Sequence, residues 1–425
     1  MMVLAWIGLL VAALLGAPLF VLIGAAALLG FLQADYDLTI VAVEFQRLGQ
    51  MPGLEAIPLF ALAGCLLGDS GAPQRLVRLS RAWLGWLPGG LAIVAVVSCA
   101  LFTAFTGASG VTIVALGALL FPALIAAGYE RRFVLGLLTS AGSLGLLFAP
   151  SLPLILYGFV AGQLGTDPPV SIQDLFLAGI APGVLMVFAM SLLAVQAGRH
   201  LPPGPDFDRR EAVASLIDAR WELPLPVLVL GGIYGGLLAA SEAAAVTALY
   251  VLVTTVLIRR EIPLRRLLPA CADAARLIGA ILIILGMALA LSNWLVDQEV
   301  PMRLFDWVQA HVDSPWVFLL LLNVFLLGVG MLLDIFSAVV ILVPLLLPVA
   351  QGFGIDPVHL GIILLANLQL GYFTPPVGMN LFIASYRFEA PVTELVSASW
   401  RFFLVLLGCV LLITWWPWLS LALVR

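Results

Sequence analysis

Long uncharged apolar runs alternate with short polar stretches along the whole chain, which predicts helices that cross a bilayer. The runs cover 1–34, 56–68, 82–129, 133–166, 175–198, 223–241, 243–258, 277–296, 314–333, 335–355 and 402–424, and 357–386 adds only His359 as an ionisable group apart from tyrosine. A crossing helix needs about 20 apolar residues. The first run lacks a basic start and is too long for the apolar core of a signal peptide, so it reads as a retained span. The longest polar stretch, 199–222, is too short for a soluble domain. Function therefore has to lie within the membrane.

Composition agrees with that pattern. The chain is 63% hydrophobic and 10% charged, against about 25% charged residues in soluble domains. Its 19 cationic residues are all arginine, set against 24 acidic ones for a net charge of −5. There is no basic block, which argues against a nucleic-acid partner. Cys65, Cys99, Cys271 and Cys409 are widely separated and suggest neither a disulfide framework nor a zinc site.

The arginines also orient the chain, because short arginine-rich loops stay cytoplasmic. They cluster at 75–81, 131–132, 199–220 and 259–276, whereas 35–44, 167–174, 297–313 and 355–359 are acidic or arginine-poor. The stretch 223–258 joins two arginine-rich loops and so crosses twice, breaking at Ser241-Glu242, where Ser suits an N-cap and Glu suits a helix start. By the same parity 82–129 runs from inside to inside, and 314–355 from outside to outside. Each is a pair of spans or a re-entrant hairpin. The small polar centre Thr103-Ala-Phe-Thr-Gly-Ala-Ser-Gly110 and the lone Asp334 favour hairpins, at 88–128 and 314–355.

The segments after the two hairpins repeat each other. Pro122 and Gly128 recur at an offset of 226 as Pro348 and Gly354, and Gly136 and Pro150 recur at 225 as Gly361 and Pro375. One hairpin opens from each side, so the repeat is inverted, as in many secondary transporters. The fold class expected is an all-α polytopic membrane protein. It has about nine spans beside two re-entrant helical hairpins and two discontinuous helices. Residues 1–200 form one repeat, 201–222 a cytoplasmic loop and 223–425 the other. The broken helices lie at 133–166 and 357–386. The segments 73–83 and 259–276 read as amphipathic arms at the cytoplasmic surface.

The breaks carry the candidate chemistry. One reads Thr139-Ser-Ala-Gly-Ser-Leu-Gly145, followed by Pro150 and Pro153. The other runs from Asn367 through Thr374-Pro-Pro-Val-Gly-Met-Asn380. Proline removes a backbone donor and frees a carbonyl, and glycine lets the chain unwind. Freed carbonyls with Ser, Thr and Asn oxygens suit a hard cation such as sodium, while helix N-termini suit a carboxylate. The alternative is that Gly and Ser only permit close helix packing. Two matching breaks in two repeats favour a site. Asp334 reads either as a sodium or gating residue or as the cap of a helix starting near Ile335. Glu242 reads as an interfacial helix start rather than a ligand, and Arg387, just after the second broken helix, as a positive-inside anchor or, alternatively, a group that attracts an anion. Trp415, Trp416 and Trp418 read as an aromatic belt.

Gly107-Ala-Ser-Gly110 also invites an intramembrane serine hydrolase. That chemistry needs a buried base, and His200, His311 and His359 lie in loops or near a loop end.

The motifs Gly107-Ala-Ser-Gly-Val-Thr112, Ala127-Gly-Tyr-Glu-Arg-Arg-Phe133, Thr139 to Gly145, Leu175-Phe-Leu-Ala-Gly-Ile-Ala-Pro-Gly183, Ser241-Glu-Ala-Ala-Ala-Val246, Gly354-Ile-Asp-Pro-Val-His359 and Thr374 to Asn380 resemble the large membrane subunit of tripartite ATP-independent periplasmic (TRAP) transporters. The resemblance runs almost from end to end. Two places depart from it: Phe148-Ala-Pro-Ser-Leu-Pro153, where the family usually has Pro-Pro-Ser, and Leu333-Asp-Ile-Phe-Ser337.

The resemblance implies an elevator-type transporter subunit of the bacterial inner membrane that imports an organic acid, driven by sodium, and is not an enzyme. It implies a small four-span membrane subunit and a periplasmic substrate-binding protein as partners; a stand-alone sodium/carboxylate symporter is the alternative. It places one sodium around Ser109, Ser140, Gly142 and Gly145, and a second around Asp334, Gly371, Thr374 and Gly378. The substrate carboxylate would lie near Ser151 and Asn380. Sodium is the only cofactor implied.

Overall fold

The computed structural model describes residues 2–51, 54–166, 169–201, 206–312 and 314–424, and every regular element among them is a helix. Asp167, Asp313 and residues 202–205 of the expected cytoplasmic loop lie outside the described residues. Seven helices are long and apolar enough to cross a membrane, and two further pairs pass that test together across a bend. Many of their large apolar side chains face outward, Val184, Leu249 and Val324 among them, as lipid-facing positions do.

Two groups of helices result. The outer group packs Leu19–Gln33, Thr39–Leu48 and Ala56–Asp69 against Leu264–Asp297, with Pro224–Tyr234 and Ala240–Leu252 beside them. The inner group holds the hairpins, the broken helices, and the long helices Ile172–Gly198 and Val392–Trp415.

Both hairpins form at the expected places. The first is Gly90–Thr106 and Ser109–Ala126, turning at Gly107 with φ +65°. The second is Pro315–Leu332 and Ile335–Gly352, turning at Leu333 and Asp334. Both broken helices form as well. The first runs Arg131–Ala141, a 3-10 turn Leu144–Leu147, then Leu152–Gln163, bent by 43°. The second runs Pro357–Gly371, then Met379–Phe388. The Ala149–Pro150 and Pro375–Pro376 peptide bonds are both cis.

Three expectations need correction. The first run is two helices, Met2–Leu14 and Leu19–Gln33, because Gly16 at φ +82° and Pro18 interrupt it. In the 223–258 pair, Pro224–Tyr234 has 11 residues, or roughly 16 Å of helix. It ends among Gly231, Gly232, Gly235 and Gly236, so this half is shorter than a full crossing. Its partner begins near the expected point, with Glu242 accepting the Ala239 N–H at 2.8 Å.

The third correction concerns the arms. Ala72–Leu84 is an amphipathic arm set at 74° to the preceding helix, with Ala72, Leu76 and Leu79 buried. The segment 259–276 is not one: Leu264 begins a 34-residue helix that continues unbroken to Asp297. The counterpart of the first arm is Val300–His311, between the Leu264–Asp297 helix and the second hairpin. There Phe305 stacks edge-on against Phe353. In an inverted repeat this arm lies on the outer side, where no arginine cluster marks it; its one arginine is Arg303.

The first arm is held by charge. Arg75 is buried and donates to Glu222 at 2.5 Å and to Glu261, which also accepts the Gly71 N–H at 2.8 Å. Arg78 donates to Glu211 at 2.8 Å and to Asp218 at 3.0 Å. The Arg78 hydrogen bond holds the Glu211 carboxyl below its ordinary range. Burial pushes Asp218 up and Glu261 up, but hydrogen bonds from Arg78 and Arg259 outweigh it for Asp218. Those from Arg75 and the Gly71 N–H do so for Glu261, so both end low.

Candidate functional site

The hairpin tips end against the helix breaks, and glycines make the contact possible. A Cβ at Gly145 would stand 2.3 Å from the Ala100 carbonyl oxygen and 2.5 Å from the Ala104 nitrogen. One at Gly371 would stand 2.3 Å from the Gly330 carbonyl carbon. Gly145 and Ala104 recur, at the repeat's offset of 226, as Gly371 and Gly330. In each repeat, therefore, the break's glycine lies on the backbone of its hairpin's first helix.

At the first tip, Thr103 Oγ1 donates to the Gly142 carbonyl at 2.8 Å and lies 2.7 Å from Thr112 Oγ1. Ser109 Oγ donates to Asn380 Oδ1 at 2.8 Å, and Asn380 Nδ2 lies 3.4 Å from the Thr139 carbonyl. At the second tip, the Gly378 N–H donates to the Met331 carbonyl at 3.0 Å, and the Ile335 N–H to Tyr372 Oη at 2.7 Å. Gly378 takes φ +52°, which lets the chain turn into Met379–Phe388. The breaks themselves touch where Ser143 Oγ reaches the Gln369 carbonyl at 3.3 Å.

Of the residues picked out from sequence, Ser109 and Asn380 are joined directly, across 271 positions. The resemblance implies a sodium role for Ser109 and a substrate role for Asn380, and the structure joins the two side chains. Gly142 and Gly145 lie under the first tip, and Gly371 and Gly378 under the second. Three hydroxyls turn back into their own segments: Ser140 donates to the Gly136 carbonyl at 2.7 Å, Thr374 to that of Leu370 at 2.7 Å, and Ser151 to that of Leu146. Ser151 makes no hydrogen bond to Asn380 among the described residues. Asp334 caps Ile335–Gly352: Oδ1 accepts the Phe336 and Ser337 N–H groups, each at 3.0 Å, and Oδ2 accepts the Ser337 hydroxyl.

Sequence reasoning did not single out Thr103, Tyr372, Asn367 or Gln369 as site residues. The amides of Asn367 and Gln369 are buried, yet Asn367 Oδ1 and Gln369 Oε1 have no hydrogen-bond partner among the described residues. The signal was available: both are amide side chains within an otherwise apolar helix, just before the break. No arginine, lysine or histidine makes any of these contacts. His359 instead bonds Ser420 Oγ at 2.6 Å and the Thr414 carbonyl at 3.2 Å, and makes no hydrogen bond to Ser109 among the described residues. No group of three or more potential ligating His, Cys, Asp or Glu side chains occurs among the described residues.

A polytopic helical protein with paired hairpins and broken helices is a membrane solute transporter in class, not an enzyme. Comparison with known proteins makes the class specific. The family described as the tripartite ATP-independent periplasmic transporter, DctM component, matches residues 6–419. The C4-dicarboxylate TRAP transporter large permease protein of Rhodobacter capsulatus is 34% identical, over 98% of this chain and 97% of its own. The ectoine/5-hydroxyectoine large permease protein of Ruegeria pomeroyi is also 34% identical, over 96% and 95%. The YdaH transporter of Alcanivorax borkumensis, at 18% identity, shares the fold with a TM-score of 0.64 over 89% of this chain and 87% of its own. The chain belongs to the TRAP large permease family and is a multi-pass protein of the bacterial inner membrane.

Proposed function

We propose that this chain carries an organic acid across the inner membrane in exchange for the free energy of a sodium gradient. It does so together with a small membrane subunit and a periplasmic binding protein that delivers the solute. One observation carries the reading: two hairpin tips and two helix breaks meet in a polar centre whose contacts involve no basic side chain among the described residues.

An anion entering there meets N–H groups at helix starts and the Ser109 and Asn380 side chains. Its charge has to be balanced by something that arrives with it. Sodium fits, because the centre is rich in oxygen. The carbonyls of Thr139, Gly142 and Gln369 supply neutral oxygens, and Asp334 supplies charge beside the second break. Hard cations take oxygen ligands of this kind. The relatives named for C4-dicarboxylates and for ectoine support an organic-acid solute. A relative of Oleidesulfovibrio alaskensis named as the fused DctMQ permease supports the small subunit as partner.

Transport follows an elevator path in this reading. The inner group of helices moves with its solute against the outer group, and the two arms connect them. Uptake into proteoliposomes, with and without the small subunit and binding protein, tests the proposal. Solute uptake that needs both partners is expected. Uptake by this chain alone would replace the reading with a stand-alone symporter.

A further inference from the structure

The cytoplasmic helix Arg209–Asp218 plays no part in the centre just described. Its inward face, Ala212 and Ser215, is buried. Two of its acidic groups are paired: Glu211 and Asp218 with Arg78, and Asp218 also with Arg259. The outward face is different. Val213 and Ile217, one turn apart, are 47% and 57% exposed, and Arg209, Arg210 and Arg220 are exposed and have no ion pair among the described residues. Arg220 stacks on the Trp221 ring at 5.6 Å.

The position of this face matters. A groove of about 350 Å³ runs between Ile217, Arg220 and Trp221 on one side and Ile258 and Arg259 on the other. Ile258 ends the apolar span Ala240–Ile258, and Leu257 before it is 64% exposed, as a lipid-facing residue is. The groove therefore opens where that span leaves the bilayer. At the other end of the helix, Trp83 and Trp86 both meet Phe207 edge-on. Aromatic side chains at both ends match the boundary between membrane and water.

We propose that Arg209–Asp218 lies on the inner leaflet and seats anionic phospholipid there. Val213 and Ile217 dip toward the acyl chains, while Arg209, Arg210 and Arg220 bind the headgroup phosphates. Charge complementarity selects this occupant. With Glu211 and Asp218 paired to arginines and Asp208 capping the helix start, the outward face is apolar and carries three arginines without an ion pair among the described residues, against exposed Asp206 and Asp208, as in surface-bound amphipathic helices. Because the same helix holds Arg78, the lipid also braces the first arm.

The test uses the full chain in nanodiscs made from equal amounts of phosphatidylglycerol and phosphatidylcholine. The lipids retained after extraction are read by native mass spectrometry, which involves no transport. An arginine beside an anionic surface contributes roughly a fivefold factor. The wild type should hold phosphatidylglycerol in excess, and the triple variant R209Q/R210Q/R220Q should lose most of that excess. The equally charge-reduced R265Q/R266Q/R276Q should keep it. V213Q/I217Q, which removes no charge, should weaken it. Wild-type protein without a preference, a preference surviving in the first triple variant, equal loss in both triple variants, or no effect of V213Q/I217Q would each overturn the proposal.

Discussion

Ser109 and Asn380 form a side-chain pair that ties one repeat to the other at the centre. Ser109→Ala leaves the buried Asn380 Oδ1 without its donor, which costs about 1–3 kcal/mol. A lower unfolding midpoint for S109A, with normal insertion in the membrane, is the expected result. Asp334 allows a sharper separation of roles. Asparagine caps a helix nearly as well as aspartate, so Asp334→Asn should leave the unfolding midpoint almost unchanged. It should raise the sodium concentration needed for half-maximal uptake. Unaltered sodium dependence would reduce Asp334 to a cap. At this scale the sequence was only half legible. Glycines and prolines mark where a helix must break, because backbone geometry demands them. Which way a hydroxyl turns is decided by the nearest free carbonyl, so Ser140, Ser151 and Thr374 could not be told from ligands in advance.

At the scale of elements, the hairpins and breaks were legible because each has a polar, glycine- or proline-marked centre inside an apolar run. The second arm was not. Arginine clusters mark the cytoplasmic side only, so the segment 259–276 looked like an arm, and Val300–His311 on the other side carries a lone Arg303. The first arm makes two predictions. Arg75→Gln strands buried Glu222 beside Glu261, and losing one partner of such a buried pair costs about 3–5 kcal/mol. The arm should then exchange its amide hydrogens faster than in the wild type. The pH dependence follows from the depressed carboxyls of Glu211, Asp218 and Glu261. Their contribution is complete above the ordinary values of 4.5 and 3.8 and is lost as the pH falls below them. Exchange over 72–84, corrected for intrinsic rates, should thus be flat from neutral pH to about 5 and rise only in stronger acid. A rise centred near neutrality would mean that these pairs do not hold the arm.

For the whole molecule, inverted repeats place equivalent glycine contacts, Gly145 on Ala104 and Gly371 on Gly330, at two hairpin tips that point to one centre. That arrangement leaves an anion no basic partner, which is why a co-transported cation is central to the account. The direct measurement is the initial rate of organic-acid uptake by proteoliposomes containing this chain, its small subunit and the loaded binding protein. An inward sodium gradient is compared with an equal potassium gradient at clamped membrane potential. Accumulation under sodium and none under potassium is the result predicted. Equal uptake under both ions would contradict the account.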